Sequence, residues 1–211
     1  MAVGALFLAG MAIGITGNIL VLSVLNAPDG LSALSGHGLK LAIGALLWML
    51  TVAGDAAHGI LIFPVLKRHG ERMAIGYLGF RILDAVFLGA QALFVLLQIP
   101  IGSEFLKAAP GASASLQSLS AIFTRMNLYA YDFAMISLGA AGLILCYAFY
   151  RAKLVPRVLA VWGLVGYATI LGGSIAEALG WNLHSIHALP GGLWEVFIGG
   201  WLIVKGFKGP R

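Results

Sequence analysis

The sequence predicts an all-α integral membrane protein, a single bundle of six transmembrane helices over residues 1–211 with both termini in the cytoplasm. Three observations carry this. The 211 residues are 60% hydrophobic and only 10% charged, where a soluble domain holds about 25% charged residues. Six apolar runs reach the ~17 residues or more needed to cross a bilayer. The basic residues alternate in the loops between those runs as a membrane topology requires.

The first run, 2–25, begins MAVGALFLAG without a basic region. It reads as a first transmembrane helix rather than a cleaved leader. Gly10, Gly14 and Gly17 lie along it as small residues suited to close helix packing. The turn-rich loop NAPDGLSALSGHG follows at 26–38, with Pro-Asp-Gly as its turn signal. The second run covers 39–66 and the third 73–99.

Residues around 103–127 form an outer amphipathic segment. It presents Leu116, Leu119, Ile122, Phe123 and Met126 on one face. It continues into the fourth run, 128–150, as one long helix from about 113 to 151. An interfacial cover is the expected role, and a lid over an outward cavity is the alternative. The fifth run is 155–179. The sixth, 190–206, is the shortest and is rich in Trp, Phe, Ile and Val.

Lys67, Arg68 and Arg72 follow the second run, and Arg151, Lys153 and Arg157 follow the fourth. Lys205, Lys208 and Arg211 follow the sixth. The opposite loops hold only Lys40, Lys107 and Arg125. An even number of spans with the basic clusters on one side places both termini in the cytoplasm.

The net charge of +5 does not indicate nucleic acid. The basic residues are scattered through short loops and make no basic stripe with interleaved aromatics. The lone Cys146 cannot form an intrachain disulfide, which excludes thiol oxidoreductases that need cysteine pairs.

Two neighbouring spans carry polar stripes. The second has Trp48, Thr51, Asp55 and His58. The third has Tyr77, Arg81, Asp84, Gln91 and Gln98. Spacings of three, four and seven put each set on one helix face. A short loop makes these spans antiparallel neighbours, so Asp55, His58, Arg81 and Asp84 are expected to meet at one depth. Such a cluster can be a register-fixing ion network, a proton-linked or ligand-binding site, or a catalytic one.

A second group is expected at the outer face. Arg125 and Asp132 share a face with Tyr129. Glu177 closes the fifth span after Ser174, and Glu195 lies in the sixth beside Trp194. Glu195 either caps its helix after Pro190 or takes Arg125 or His187 as a buried partner. His184 and His187 are weak metal candidates, because His-x-x-His lacks the i, i+4 spacing of a helical zinc motif. They otherwise anchor at headgroup level. GGSIA at 172–176 lacks a placed histidine partner. No nucleophile elbow or Walker loop occurs. The histidines form no same-depth pairs for two haems. The sequence does not fix a cofactor, and a single haem stays open as an alternative. Gln91 and Gln98 run along the third span between the two groups.

The segments YRAKLVPRVLAVWGLVGY (150–167) and LPGGLWEVFIGGWLIVKGF (189–207) resemble a large bacterial family of short polytopic membrane proteins known only as a domain of unknown function. ERMAIGYLGFRILDAVFLG and YAYDFAMISLGAAGLILCYAFYR are similar to the same family. The resemblance covers most of residues 40–208 and implies a multi-pass protein of a bacterial inner membrane. It implies no activity.

Three functions are open from the sequence. One is a small-molecule binding or transporting protein with an intramembrane polar pocket, proton-linked and acting as a homo-oligomer. Another is an intramembrane enzyme on a lipid or isoprenoid, using acid or metal catalysis. The third is an accessory subunit whose charges only pair helices. The partners expected are the lipid bilayer and a small-molecule or lipid ligand.

Overall fold

The computed structural model describes residues 2–27 and 30–207 and is helical throughout, with no strand among the described residues. The long helices are α1 (Ala2–Leu25), α3 (Gly38–Lys67), α4 (Glu71–Leu96), α6 (Pro110–Ala152), α7 (Arg157–Ala178) and α8 (Leu189–Val204). Between them lie two short ones, α2 (Leu31–Gly36) and α5 (Gln98–Lys107). A single 3₁₀ turn, Ile186–Ala188, leads into α8. Six helical segments are long and apolar enough to cross a membrane, with α5 continuing α4 as one run, Glu71–Lys107. They match the six runs read from hydropathy. The Pro28-Asp29 turn signal and the tail residues Lys208 and Arg211 lie outside the described residues.

Local chemistry sets the helix ends. Pro110 opens α6, where its missing N–H costs nothing. Lys153 takes a left-handed φ of 54° at the other end, and the Leu154 N–H bonds the Phe149 carbonyl at 3.2 Å. This six-to-one closure satisfies an orphan carbonyl of the last turn. Leu154 and Val155 are then buried, and Pro156 stands at the N-cap of α7. The Leu-Val-Pro-Arg loop is thus a helix stop, a two-residue apolar plug and a helix start. Gly180, at φ 97°, ends α7 by the same closure, the Trp181 N–H bonding the Ala176 carbonyl at 2.9 Å.

The chain divides into two compact units. The first comprises residues 1–11, 53–86 and 132–211. Its core holds Ile62, Leu66, Tyr77, Leu145, Phe149, Tyr167, Trp194, Ile198 and Leu202. Close approach at two glycines makes room for its largest rings. A Cβ at Gly142 would fall on the Tyr167 ring, and one at Gly163 would meet Trp194 and the Cys146 Sγ.

The second unit comprises residues 12–52 and 87–131. It has a smaller core of Val21, Val24, Leu34, Leu41, Ala45, Trp48, Ala92 and Val95. Gly17 packs on Trp48, with a Cβ there only 2.8 Å from the indole. Gly10, expected to pack in the same way, has nothing within 4 Å of where its Cβ would sit.

Large apolar side chains cover much of the outside. Ile19, Leu46, Ile60, Val158 and Leu179 are each more than 60% exposed. Water would penalise such a surface and hydrocarbon would not. With the six spans, it makes this a multi-pass membrane protein.

Candidate functional site

The first unit holds a cluster of charge inside its spanning helices. On α3, Asp55 and His58 are one turn apart, and on α4 Tyr77, Arg81 and Asp84 follow at four and three residues. Residues 68–70 alone separate the two helices. Gly59 lets them approach closely, because a Cβ there would lie 3.2 Å from the Arg81 Cβ.

The Arg81 guanidinium donates through Nη1 to Asp84 Oδ2 at 2.9 Å and through Nη2 to Asp55 Oδ1. Asp84 is fully buried and Arg81 nearly so, while the Asp55 side chain keeps 25% of its surface exposed. The Tyr77 hydroxyl and His58 Nδ1 are 2.7 Å apart. The His58 ring also meets the edge of Phe7, with centroids 4.3 Å apart. Of the four residues expected to meet, Asp55, Arg81 and Asp84 are in direct contact, while His58 bonds Tyr77 and lies within electrostatic reach of Arg81.

Glu195 joins the same cluster, which corrects its expected place in a separate outer group. Its Oε1 accepts a hydrogen bond from the Tyr167 hydroxyl at 2.8 Å, and it lies within electrostatic reach of Arg81 and Asp55. Tyr167 is the partner that sequence reasoning missed. It stands on α7, four residues after Gly163, and nothing in spacing along one helix announces a bond to α8. His187, proposed for that role, is engaged elsewhere. Trp194, next to Glu195, is fully buried and donates from Nε1 to the Leu159 carbonyl at 2.6 Å. That bond fixes the turn of α8 that carries Glu195.

Three polar atoms of the cluster are buried without a hydrogen-bond partner among the described residues: His58 Nε2, Arg81 Nε and Asp84 Oδ1. Buried polar groups are nearly always satisfied, so each asks for a proton, a water or a ligand atom.

The remaining candidates separate. Glu177 and His187 sit at the α7–α8 connection. Ser174 Oγ is 3.1 Å from His187 Nε2, and Glu177 Oε2 is 3.9 Å from the same nitrogen. GGSIA therefore does have a histidine partner. It is not a nucleophile relay, because Ser174 is fully buried and the carboxylate shares the serine's nitrogen instead of orienting the other one. Glu177 Oε1 also accepts from the Ser185 N–H at 2.9 Å, holding a loop in which His184 and Ser185 both have positive φ. Asp132 is buried on α6 within electrostatic reach of Glu177. His184 is exposed, and no three His, Cys, Asp or Glu side chains converge as a metal site among the described residues.

Gln91, Gln98 and Arg125 belong to the second unit. Gln91 is buried and its carbonyl accepts from Asn127 Nδ2 at 3.1 Å. Gln98 makes three hydrogen bonds, donating to the Ser120 carbonyl and Thr124 Oγ1 and accepting from Ser120 Oγ at 2.7 Å. Its amide clamps α5 to α6 and has little left to offer a ligand. Arg125 is exposed at the edge of a cavity.

Fold and site together define a six-helix membrane protein built around a buried, acid-rich ion cluster. The chain belongs to the family described as Domain of unknown function (DUF4386), whose model matches residues 2–206. Comparison with curated proteins and with solved structures returns no match.

Proposed function

We propose that this protein binds or transports a small molecule across the membrane, and that the Asp55–Arg81–Asp84 cluster with Glu195 is its proton-exchanging element. The supporting observation is charge balance. Two carboxylates bond one guanidinium and a third, Glu195, lies within its electrostatic reach, so with His58 neutral the cluster lacks up to two positive charges. An uncompensated charge in an apolar interior costs several kcal/mol. Protons or a cationic ligand must make up the difference.

A network that only paired helices would be neutral and fully hydrogen-bonded. This one leaves a carboxylate oxygen, an arginine nitrogen and a histidine nitrogen unpartnered. The 25% exposure of Asp55 offers the entry point. In this reading the protein resides in a bacterial inner membrane. Its termini face the cytoplasm, as the clusters around Lys67–Arg72 and Arg151–Arg157 favour, and several copies assemble.

Proteoliposomes enclosing a pH-sensitive dye test the reading. Wild-type protein should dissipate an imposed pH gradient several-fold faster than protein-free liposomes. Asp84→Asn and Asp55→Asn should return the rate to background. Variants that match the wild type would remove the cluster from the process. Wild-type vesicles no faster than protein-free ones would remove proton exchange altogether.

A further inference from the structure

The second unit contains a cavity of about 860 Å³, within the ~300–1,000 Å³ range of small-molecule sites. One wall is a continuous face of α6. Gln117, Ser120, Ala121, Thr124, Arg125 and Leu128 recur there at spacings of three and one. The opposite walls are largely apolar, with Leu25 from α1, Leu34 from α2 and Phe105 from α5.

Arg125 is the only ionisable residue among the described residues lining it. No hydrogen bond or ion pair occupies its guanidinium among the described residues. The Ser120 and Thr124 hydroxyls are spent on Gln98 and the α6 backbone and Ser32 is engaged as well, which leaves Arg125 and the Gln117 amide as the polar groups of the described lining that can meet a ligand.

We infer that this cavity binds an anionic amphiphile, a molecule with one carboxylate or phosphate head and an apolar chain. Each part of the ligand follows from a part of the wall. A lone guanidinium in a partly apolar setting selects a planar or tetrahedral oxyanion, which it can grip with two N–H donors. No acidic residue is among the described residues that line the cavity, so nothing there favours a cation. The leucines and Phe105 provide the surface that a hydrocarbon chain needs and a free inorganic anion does not.

The position suits such a ligand. At 1.5 Å per residue, the 43 residues of α6 span about 65 Å, roughly twice the hydrocarbon thickness of a bilayer. The Gln117–Leu128 stretch lies towards one end of that length. Leu119, Ile122 and Met126 beside it are exposed apolar residues that would sit at the lipid surface. The head would rest at headgroup level and the chain would enter the cavity. This site is independent of the proton-exchanging cluster, and its test reads binding alone.

The test uses the full chain in a neutral detergent, with displacement of a fluorescent fatty acid as the readout. Dodecanoate and dodecyl phosphate should displace the probe at least about tenfold more tightly than dodecanol, the scale of one charge-assisted contact. Arg125→Gln should erase that preference and Arg125→Lys should keep most of it. Ala121→Trp, which projects an indole into the cavity beside Arg125, should weaken displacement by all three. Equal binding of dodecanoate and dodecanol to wild-type protein would overturn the inference. So would a preference that survives in Arg125→Gln. Phosphatidylglycerol in nanodiscs, added against bound dodecanoate, assigns the source. Competition identifies a bilayer lipid and its absence a free single-chain amphiphile, and either result upholds the oxyanion-plus-chain chemistry.

Discussion

Arg81 is the residue on which the cluster depends. Its two arms hold one carboxylate from its own helix and one from α3. Removing it strands two acids in an apolar interior. Arg81→Leu should therefore destabilise the protein by about 3–5 kcal/mol, the cost of breaking a buried pair from one side. Thermal unfolding in detergent measures it, and a loss below ~1 kcal/mol would mean the acids are neutral without the arginine. Tyr167→Phe removes one buried hydrogen bond to Glu195 and should cost only about 1–2 kcal/mol by the same measurement. The Arg81–Asp84 pair was legible in the sequence because it lies within one helix, where three-residue spacing fixes proximity; Asp55 and His58 have the same spacing but take Arg81 and Tyr77 as partners instead. Tyr167 with Glu195 was not legible. That bond joins separate helices, and its partners are set by Gly142 and Gly163 receding beneath the Tyr167 and Trp194 rings.

The spans were legible at the scale of elements because length and hydropathy suffice for a membrane helix. The long α6 was also legible, since the amphipathic segment before the fourth span keeps helical periodicity into it. Two features were not. In sequence, Gln98 only continues the polar stripe of the third span. Its three hydrogen bonds make it a clamp, a distinction that depends on which residues of α6 stand opposite. Gly10 and Gly17 look alike in sequence, yet only Gly17 meets a neighbouring helix closely. The helix contacts give a direct prediction. Gly163→Val would drive a branched side chain into Trp194 and Cys146 and should destabilise by about 1–3 kcal/mol. Gly10→Val, in open space at a lipid-compatible position, should stay within ~0.5 kcal/mol of wild type. Equal thermal stabilities for the two variants would contradict this packing.

The whole molecule combines an apolar exterior with a buried cluster whose acids outnumber its base. The exterior alone makes a membrane protein. The imbalance makes the cluster more than a helix fastener, because hydrocarbon offers no counter-ions to compensate it. Asp55, Asp84 and Glu195 supply the acids and Arg81 the base, with His58, Tyr77, Tyr167 and Cys146 as the other titratable groups around them. Infrared spectroscopy of the full chain in lipid nanodiscs, titrated between about pH 5 and 8, tests the central claim most directly. The account predicts a protonated-carboxyl C=O band that responds to pH and weakens separately in Asp84→Asn and Glu195→Gln. A spectrum without such a band, or one unchanged in both variants, would contradict it.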